Sequence, residues 1–173
     1  MLNQIIKAPQ KLLLAALLCY SNAAFTLETD KQQDVQWSSD GDAKMRMEGD
    51  VRILTYIENV KVTQGTLLIT GSEAIFEYSA STNELIKVTI YGNPVRYQQQ
   101  LDADEGMVEG SSQTMLFYTD TADGETILEM IGDASIESPD SKMSCVAITY
   151  LADRDLIREA KGPCQGVLST PTD

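Results

Sequence analysis

Histidine is absent from the sequence. Its absence removes the commonest general base, proton shuttle and metal ligand together, so most hydrolytic constellations cannot be assembled. No G-x-S-x-G, C-x-x-C, phosphate-binding P-loop or dinucleotide fingerprint is present either. Carboxylates do occur in pairs, at Asp40 and Asp42, Asp102 and Asp104, and Asp153 and Asp155. Each pair sits in a loop or turn, where solvated turn chemistry accounts for it better than acid–base catalysis or calcium binding. An enzyme is not expected, nor a cofactor or a metal. Basic residues are scarce, 13 Lys and Arg against 26 Asp and Glu, for a net charge of −13. Nucleic acid is excluded as a partner, because such binding depends on Lys and Arg neutralising phosphates. Simple attraction to an anionic membrane surface is disfavoured for the same reason. A ligand of so acidic a protein is expected to be held by apolar contacts.

Long hydrophobic runs are also lacking. The one apolar run near the start, residues 12–18, falls short of the ~20 residues that span a bilayer. It follows Lys7 and Lys11 and precedes the small residues Ser21, Ala23 and Ala24. Residues 1–23 read as a cleaved secretory signal peptide, with an uncleaved anchor as the alternative, and imply export. Cys19 follows Leu18, where a lipobox needs a small residue, so lipidation is set aside. Cleavage leaves Cys145 and Cys164. In an oxidising compartment these two form one disulfide, or else remain half-buried thiols that never meet. With 173 residues and 43% hydrophobic content, the chain suits one domain, expected over residues 24–168 with a frayed tail at 169–173.

What the sequence does contain is alternation. Residues 58–78, ENVKVTQGTLLITGSEAIFEY, alternate apolar with polar, turn at Gln64-Gly65, and alternate again. Val60, Val62, Leu67 and Ile69 share a face by parity. Beyond Gly71, Ala74, Phe76 and Tyr78 oppose Glu73, Ile75 and Glu77, which fixes the buried side. Val35 and Trp37 share a face of a short edge strand. In residues 85–91, Ile86, Val88 and Ile90 form the face expected to look inward. Glu58-Asn59 reads as a tight turn between strands 51–57 and 60–63. Pro94, after Gly92-Asn93, reads as a strand start or edge.

Looser copies of this pattern recur. They begin with the turn signals Asn59, Gly92-Asn93 and Gly132-Asp133, about 34 and 40 residues apart, and end in aromatic strands at Tyr78, Phe117-Tyr118 and Tyr150. Met115 and Phe117 stand at the same offsets from Gly110 as Phe76 and Tyr78 from Gly71. In the third copy Cys145 takes the glycine's place, and Ile148 and Tyr150 continue the strip. No stretch has helical periodicity. Antiparallel sheets that are apolar on one face bury those faces against each other, so an all-β, twisted two-sheet sandwich or single jelly roll built from repeated hairpins, open at both ends, is expected.

These pieces, a leader, Gly49-Asp50-Val51, ENVKVTQGTLLITGSEAIFEY, IYGNPVRYQQ at 90–99, VEGSSQTMLFY at 108–118 and ITYL at 148–151, resemble in order and spacing the OstA-like (LptA-like) family of periplasmic lipopolysaccharide-transport proteins. The resemblance implies a twisted, V-shaped antiparallel jelly roll with an apolar groove for the acyl chains of lipid A. It implies head-to-tail self-association into a bridge between the membranes. An LptC-like inner-membrane protein would pair with the N-terminal edge and an LptD-like outer-membrane protein with the C-terminal edge, by strand addition. Carried onto this chain, the groove falls on Val35, with Trp37 beside it, on Tyr97, and on Met115, Phe117 and Thr119. Parity adds Val60, Val62, Leu67, Ile69, Phe76, Tyr78, Ile148 and Tyr150. Plain core packing is the competing account of each of these. Cys145 and Cys164 are not part of the family pattern.

Three rival functions accompany this one. A structural adaptor would join membrane partners without lipid, an LptC-like component would stay anchored by its leader, and a carbohydrate-active enzyme has no histidine to work with.

Overall fold

Alternating β-branched and aromatic residues favour extended backbone, and the described part of the chain, residues 30, 32–101 and 106–169 of this computed structural model, forms ten strands in one antiparallel sheet. The expected leader (1–23), the acidic loop residues 102–105 and most of the expected tail (170–173) lie outside the described residues. The strands are β1 Gln36–Ser38, β2 Ala43–Glu48, β3 Val51–Gln64, β4 Leu67–Ser79, β5 Leu85–Gln100, β6 Met107–Thr119, β7 Thr126–Ser138, β8 Ser141–Leu151, β9 Leu156–Lys161 and β10 Gln165–Leu168. Their order is sequential, β1-β3-β4-β5-β6-β7-β8-β10, with β2 also on β3 and β9 also on β8. Such a meander needs only short turns, as at Gly65, whose φ of +58° suits a residue without Cβ.

The six long strands all break register at one level. The shifts fall between Ile57 and Val60, Thr70 and Glu73, Tyr91 and Val95, Ser111 and Thr114, and Ile131 and Ala134. A bulge bends its strand, and a row of aligned bulges creases the whole sheet so that it curls over on itself without closing. Residues from both sides of the crease share one hydrophobic core, Phe76, Ile90 and Met115 with Val62, Ile69 and Tyr97.

The crease corrects three expectations. Glu58-Asn59 is not a turn between two strands; both residues take left-handed φ, +66° and +49°, inside β3. Gly92-Asn93 and Gly132-Asp133 likewise lie within β5 and β7. Pro94 sits mid-strand, tolerated because residues 92–94 fall between the paired segments of β5 and need no ladder N–H. A further bulge sets Leu85, not Ile86, against the inward Tyr78. Ile86 is therefore turned out and 43% exposed, while Val88 and Ile90 are buried.

Both edges repeat this construction in two pieces. β1 and β2 hold the same register on β3, from Gln36 opposite Thr63 to Glu48 opposite Val51. Between them Asp40 N and Gly41 N donate to Glu58 O and Ile57 O across the crease. β9 and β10 likewise follow β8 in two pieces, but β10 is one residue out of register with the adjoining part of β9, and β9 itself shifts between Thr149 and Tyr150. Cys145 and Cys164 are joined by a disulfide with Cα atoms 4.3 Å apart. Closing a loop over a separation of 19 residues contributes about 3 kcal/mol in the chain-entropy account. The outer sides of both edges pair with no other described strand.

Candidate functional site

Side chains on successive rungs of a creased sheet form rows across it, and the register fixes which residues share one. On one side of the crease an inward row runs Leu54, Phe76, Val88, Phe117, Leu128, Tyr150 and Ile157. Beside it runs a second, Tyr56, Ala74, Ile90, Met115, Met130, Ile148 and Ala160. Across the crease a third runs Trp37, Val62, Ile69, Tyr97, Gly110, Ile136 and Met143. The register carries the first two on to Met45 and Ala43 of β2 and the third on to Gly166 of β10, so that all three reach both edges of the sheet. Gly110 has a packing reason to lack a side chain: a Cβ there would lie 2.9 Å from Met130 Sδ and 3.4 Å from the Tyr97 ring.

The register corrects the repeat alignment. Phe76 shares its row with Phe117 and Tyr150, whereas Met115 and Ile148 belong to the row of Ala74. Gly71 lies at the crease, but Gly110 lies two residues before it, so matching the glycines displaces the copies by one inward row. Parity survives, because the displacement is two residues.

Of the groove positions read from sequence, Val60, Val62, Leu67, Ile69, Phe76, Tyr97, Met115, Ile148 and Tyr150 are buried in one cluster, and Val35, Tyr78 and Phe117 pack against it half-buried. Trp37 is 46% exposed, yet its ring lies 3.7 Å from that of Tyr56 between centroids. This contact joins the two layers at the N-terminal edge, and Tyr56 continues edge-on to Phe76 at 5.6 Å. Thr119 is exposed at the rim, opposite Thr126.

Sequence reasoning missed the polar closure of the mouth opposite the crease. Asp30 is buried and accepts from Thr66 N at 2.9 Å, from Thr66 Oγ1, and from Gln99 Nε2 at 3.2 Å. Gln99 Oε1 accepts from the Tyr97 hydroxyl at 2.6 Å. The Tyr97 ring meets that of Tyr150 in the other layer, 6.3 Å away and edge-on, and Tyr150 donates to Asp155 Oδ1 at 2.7 Å. A cavity of about 20 Å³ between Gln99, Phe117, Thr126 and Asp153 marks where the layers meet. Burial, with added repulsion from Asp155, Asp30 and Asp153, holds the Tyr97 hydroxyl protonated far above the usual tyrosine range. Burial does the same for Tyr150, reinforced by Tyr97 and by its bond to Asp155. Gln99 stands two residues after Tyr97, but nothing local signals its contact with Asp30, whose partners lie 36 and 69 residues away.

The site is therefore an apolar interior with a polar seam. Among the described residues no group of three or more Cys, Asp or Glu could hold a metal ion.

Comparison with known proteins agrees with this architecture. The crystal structure of LptH, the LptA homologous periplasmic component of the lipopolysaccharide transport device of Pseudomonas aeruginosa, superposes with a TM-score of 0.68 over 82% of this chain and 99% of that one, at 18% identity. The lipopolysaccharide export system protein LptA of Haemophilus influenzae is 27% identical over 140 residues, covering 80% of this chain and 77% of the relative. LptA of Escherichia coli is 28% identical over 139 residues, covering 80% and 71%. Residues 40–155 match the family model described as LptA/(LptD N-terminal domain) LPS transport protein, and the chain belongs to that lipopolysaccharide-transport family.

Proposed function

We propose that the chain is a periplasmic carrier that shields the acyl chains of lipopolysaccharide between its two layers and hands them along a protein bridge from the inner to the outer membrane. The observation that carries this reading is the continuity of the inward apolar rows from one open edge of the sheet to the other. A pocket for a small molecule would end within the sheet; a row running edge to edge can continue into a neighbouring chain. Loading parts the layers at the mouth, and acyl carbons replace contacts such as that between Tyr97 and Tyr150. Each buried methylene contributes about 0.8 kcal/mol, which suits an acidic protein whose charge repels lipid A phosphates within a Debye length of ~8 Å. The phosphates face solvent or cations.

The edges supply the bridge. β1 and β2 would accept a strand from an LptC-like inner-membrane partner, and β9 and β10 one from an LptD-like outer-membrane partner or a second copy of this chain. Exposed apolar side chains on them, Met45 at 67% and Leu168 at 81%, would be covered in such a joint. No residue here acts as a catalyst, and the energy for movement comes from a partner. Residues 1–23 direct export and are cleaved from the mature chain.

Lipid extracted from the protein purified out of the cell envelope is expected to contain lipopolysaccharide. Lipid-free protein that still joins its membrane partners would instead make it a structural adaptor.

A further inference from the structure

We propose that the Cys145–Cys164 bond sets the register of the C-terminal edge strand, so that this edge accepts the N-terminal edge of a second copy of this chain only after the two cysteines are oxidised. The docking half of this proposal rests on the reading of β9 and β10 as a docking edge; the register half does not.

β10 pairs with β8 from Gln165 opposite Ser144 to Leu168 opposite Ser141. Extending that ladder by one rung sets Cys164 opposite Cys145. Their Cα separation of 4.3 Å matches a directly opposed, non-hydrogen-bonded antiparallel pair, about 4.5 Å. The disulfide is the next rung of the ladder, made covalent.

Beyond its own ladder, which Ser169 N continues by donating to Asp140 O at 2.8 Å, little fixes β10. All four of its residues are exposed, Val167 at 66% and Leu168 at 81%, and none belongs to the hydrophobic core. Where burial does not choose a face, register is weakly specified, and a slip of one residue turns every side chain to the opposite side. Gly162 and Pro163 separate β10 from β9, so β9 does not impose its register. A four-residue exposed ladder is marginal by itself; the bond beside its first residue supplies what burial does not.

The site is also reachable. Cys164 is exposed, in an open furrow with Gly132, Asp133 and Pro163, whereas Cys145 is buried. A disulfide-bearing oxidant, a protein of the thiol–disulfide exchange class, accepts the two electrons. The Cys164 thiolate attacks its S–S bond, forming a mixed disulfide and releasing one oxidant thiolate. The Cys145 thiolate then attacks the mixed disulfide at the Cys164 sulfur, closing the internal bond and releasing the second. Two protons leave the protein, and the oxidant departs as a dithiol.

The test is hydrogen exchange on the full mature chain in three forms: oxidised, reduced in place, and the double variant Cys145→Ala/Cys164→Ala. Each is also assayed for self-association by crosslinking. Amides of β10 are expected to exchange on the order of a hundredfold faster in the reduced and variant forms, with β5 unchanged. Trp37, the one tryptophan, sits on the opposite edge and reports by its fluorescence that the fold persists. Head-to-tail crosslinks are expected to vanish on reduction and return on reoxidation. Equal protection of β10 in all three forms overturns the proposal, as does a loosened β10 that leaves crosslinking intact. If oxidised protein never associates with itself, the docking reading fails instead, while the exchange result still decides the register.

Discussion

Tyrosines at the interior carry their polar ends into a dry place, and their hydroxyls show it. Tyr97 and Tyr150 are held protonated chiefly by burial. Tyr118, on the outer face, is pushed up to about 12, first by its bond to Glu129 at 2.7 Å and then by burial. Burial also raises Tyr56, and Tyr78 against the opposing pull of Arg52. A folded-state pKa above the unfolded value near 10 means that the native state holds the proton more tightly. The stability from these groups is whole below about pH 10 and is lost as pH rises above it through the folded values. In a titration followed by tyrosinate absorbance, the native protein is expected to lag well behind the unfolded chain and to catch up only as it unfolds. Native tyrosines that titrate together near pH 10 would contradict the packed interior.

Strands in this fold are defined less by where they end than by where they bend. Glu58-Asn59, Gly71-Ser72, Gly92 to Pro94, Ser112-Gln113 and Gly132-Asp133 fall on one line across the sheet. Asn59 has φ +49° and donates its side-chain amide to Asp40 Oδ2 at 2.8 Å, which ties the edge strand across the crease. A β-branched residue in that conformation is strained by about 1–2 kcal/mol. Asn59→Val is therefore expected to lower the denaturant midpoint well below that of Asn59→Gly, since the two variants lose the same amide but only valine strains the backbone. Equal midpoints would place the crease's stability elsewhere. The same residues show how far the sequence can be read. Alternation from Val60 to Tyr78 identified the inward face, because parity needs only the local pleat. Left-handed Asn and Gly pairs look alike in sequence whether they reverse the chain or bulge it. The crease thus read as turns, and the long strands read as halves. Matching Gly71 with Gly110 missed by two residues because register belongs to pairs of strands. Asp30 and Gln99 were illegible, since their contact exists only after the sheet has curled.

At the scale of the whole molecule, one sheet forms both walls of an apolar interior, and its two outer edges pair with no other described strand. Two inward rows line one wall and a third lines the other, while acidic residues number 26, twice the basic ones; in the proposed carrier, acyl burial rather than charge holds the lipid. Phe117 lies in an inward row, and Glu77, on the same side of the crease, points to the outer face, where it pairs with Lys87 at 2.9 Å. A photo-crosslinking amino acid placed at each position in turn, in cells making lipopolysaccharide, tests directly where the lipid lies. The account predicts strong lipopolysaccharide adducts from position 117 and few from position 77; equal labelling at the two would contradict it.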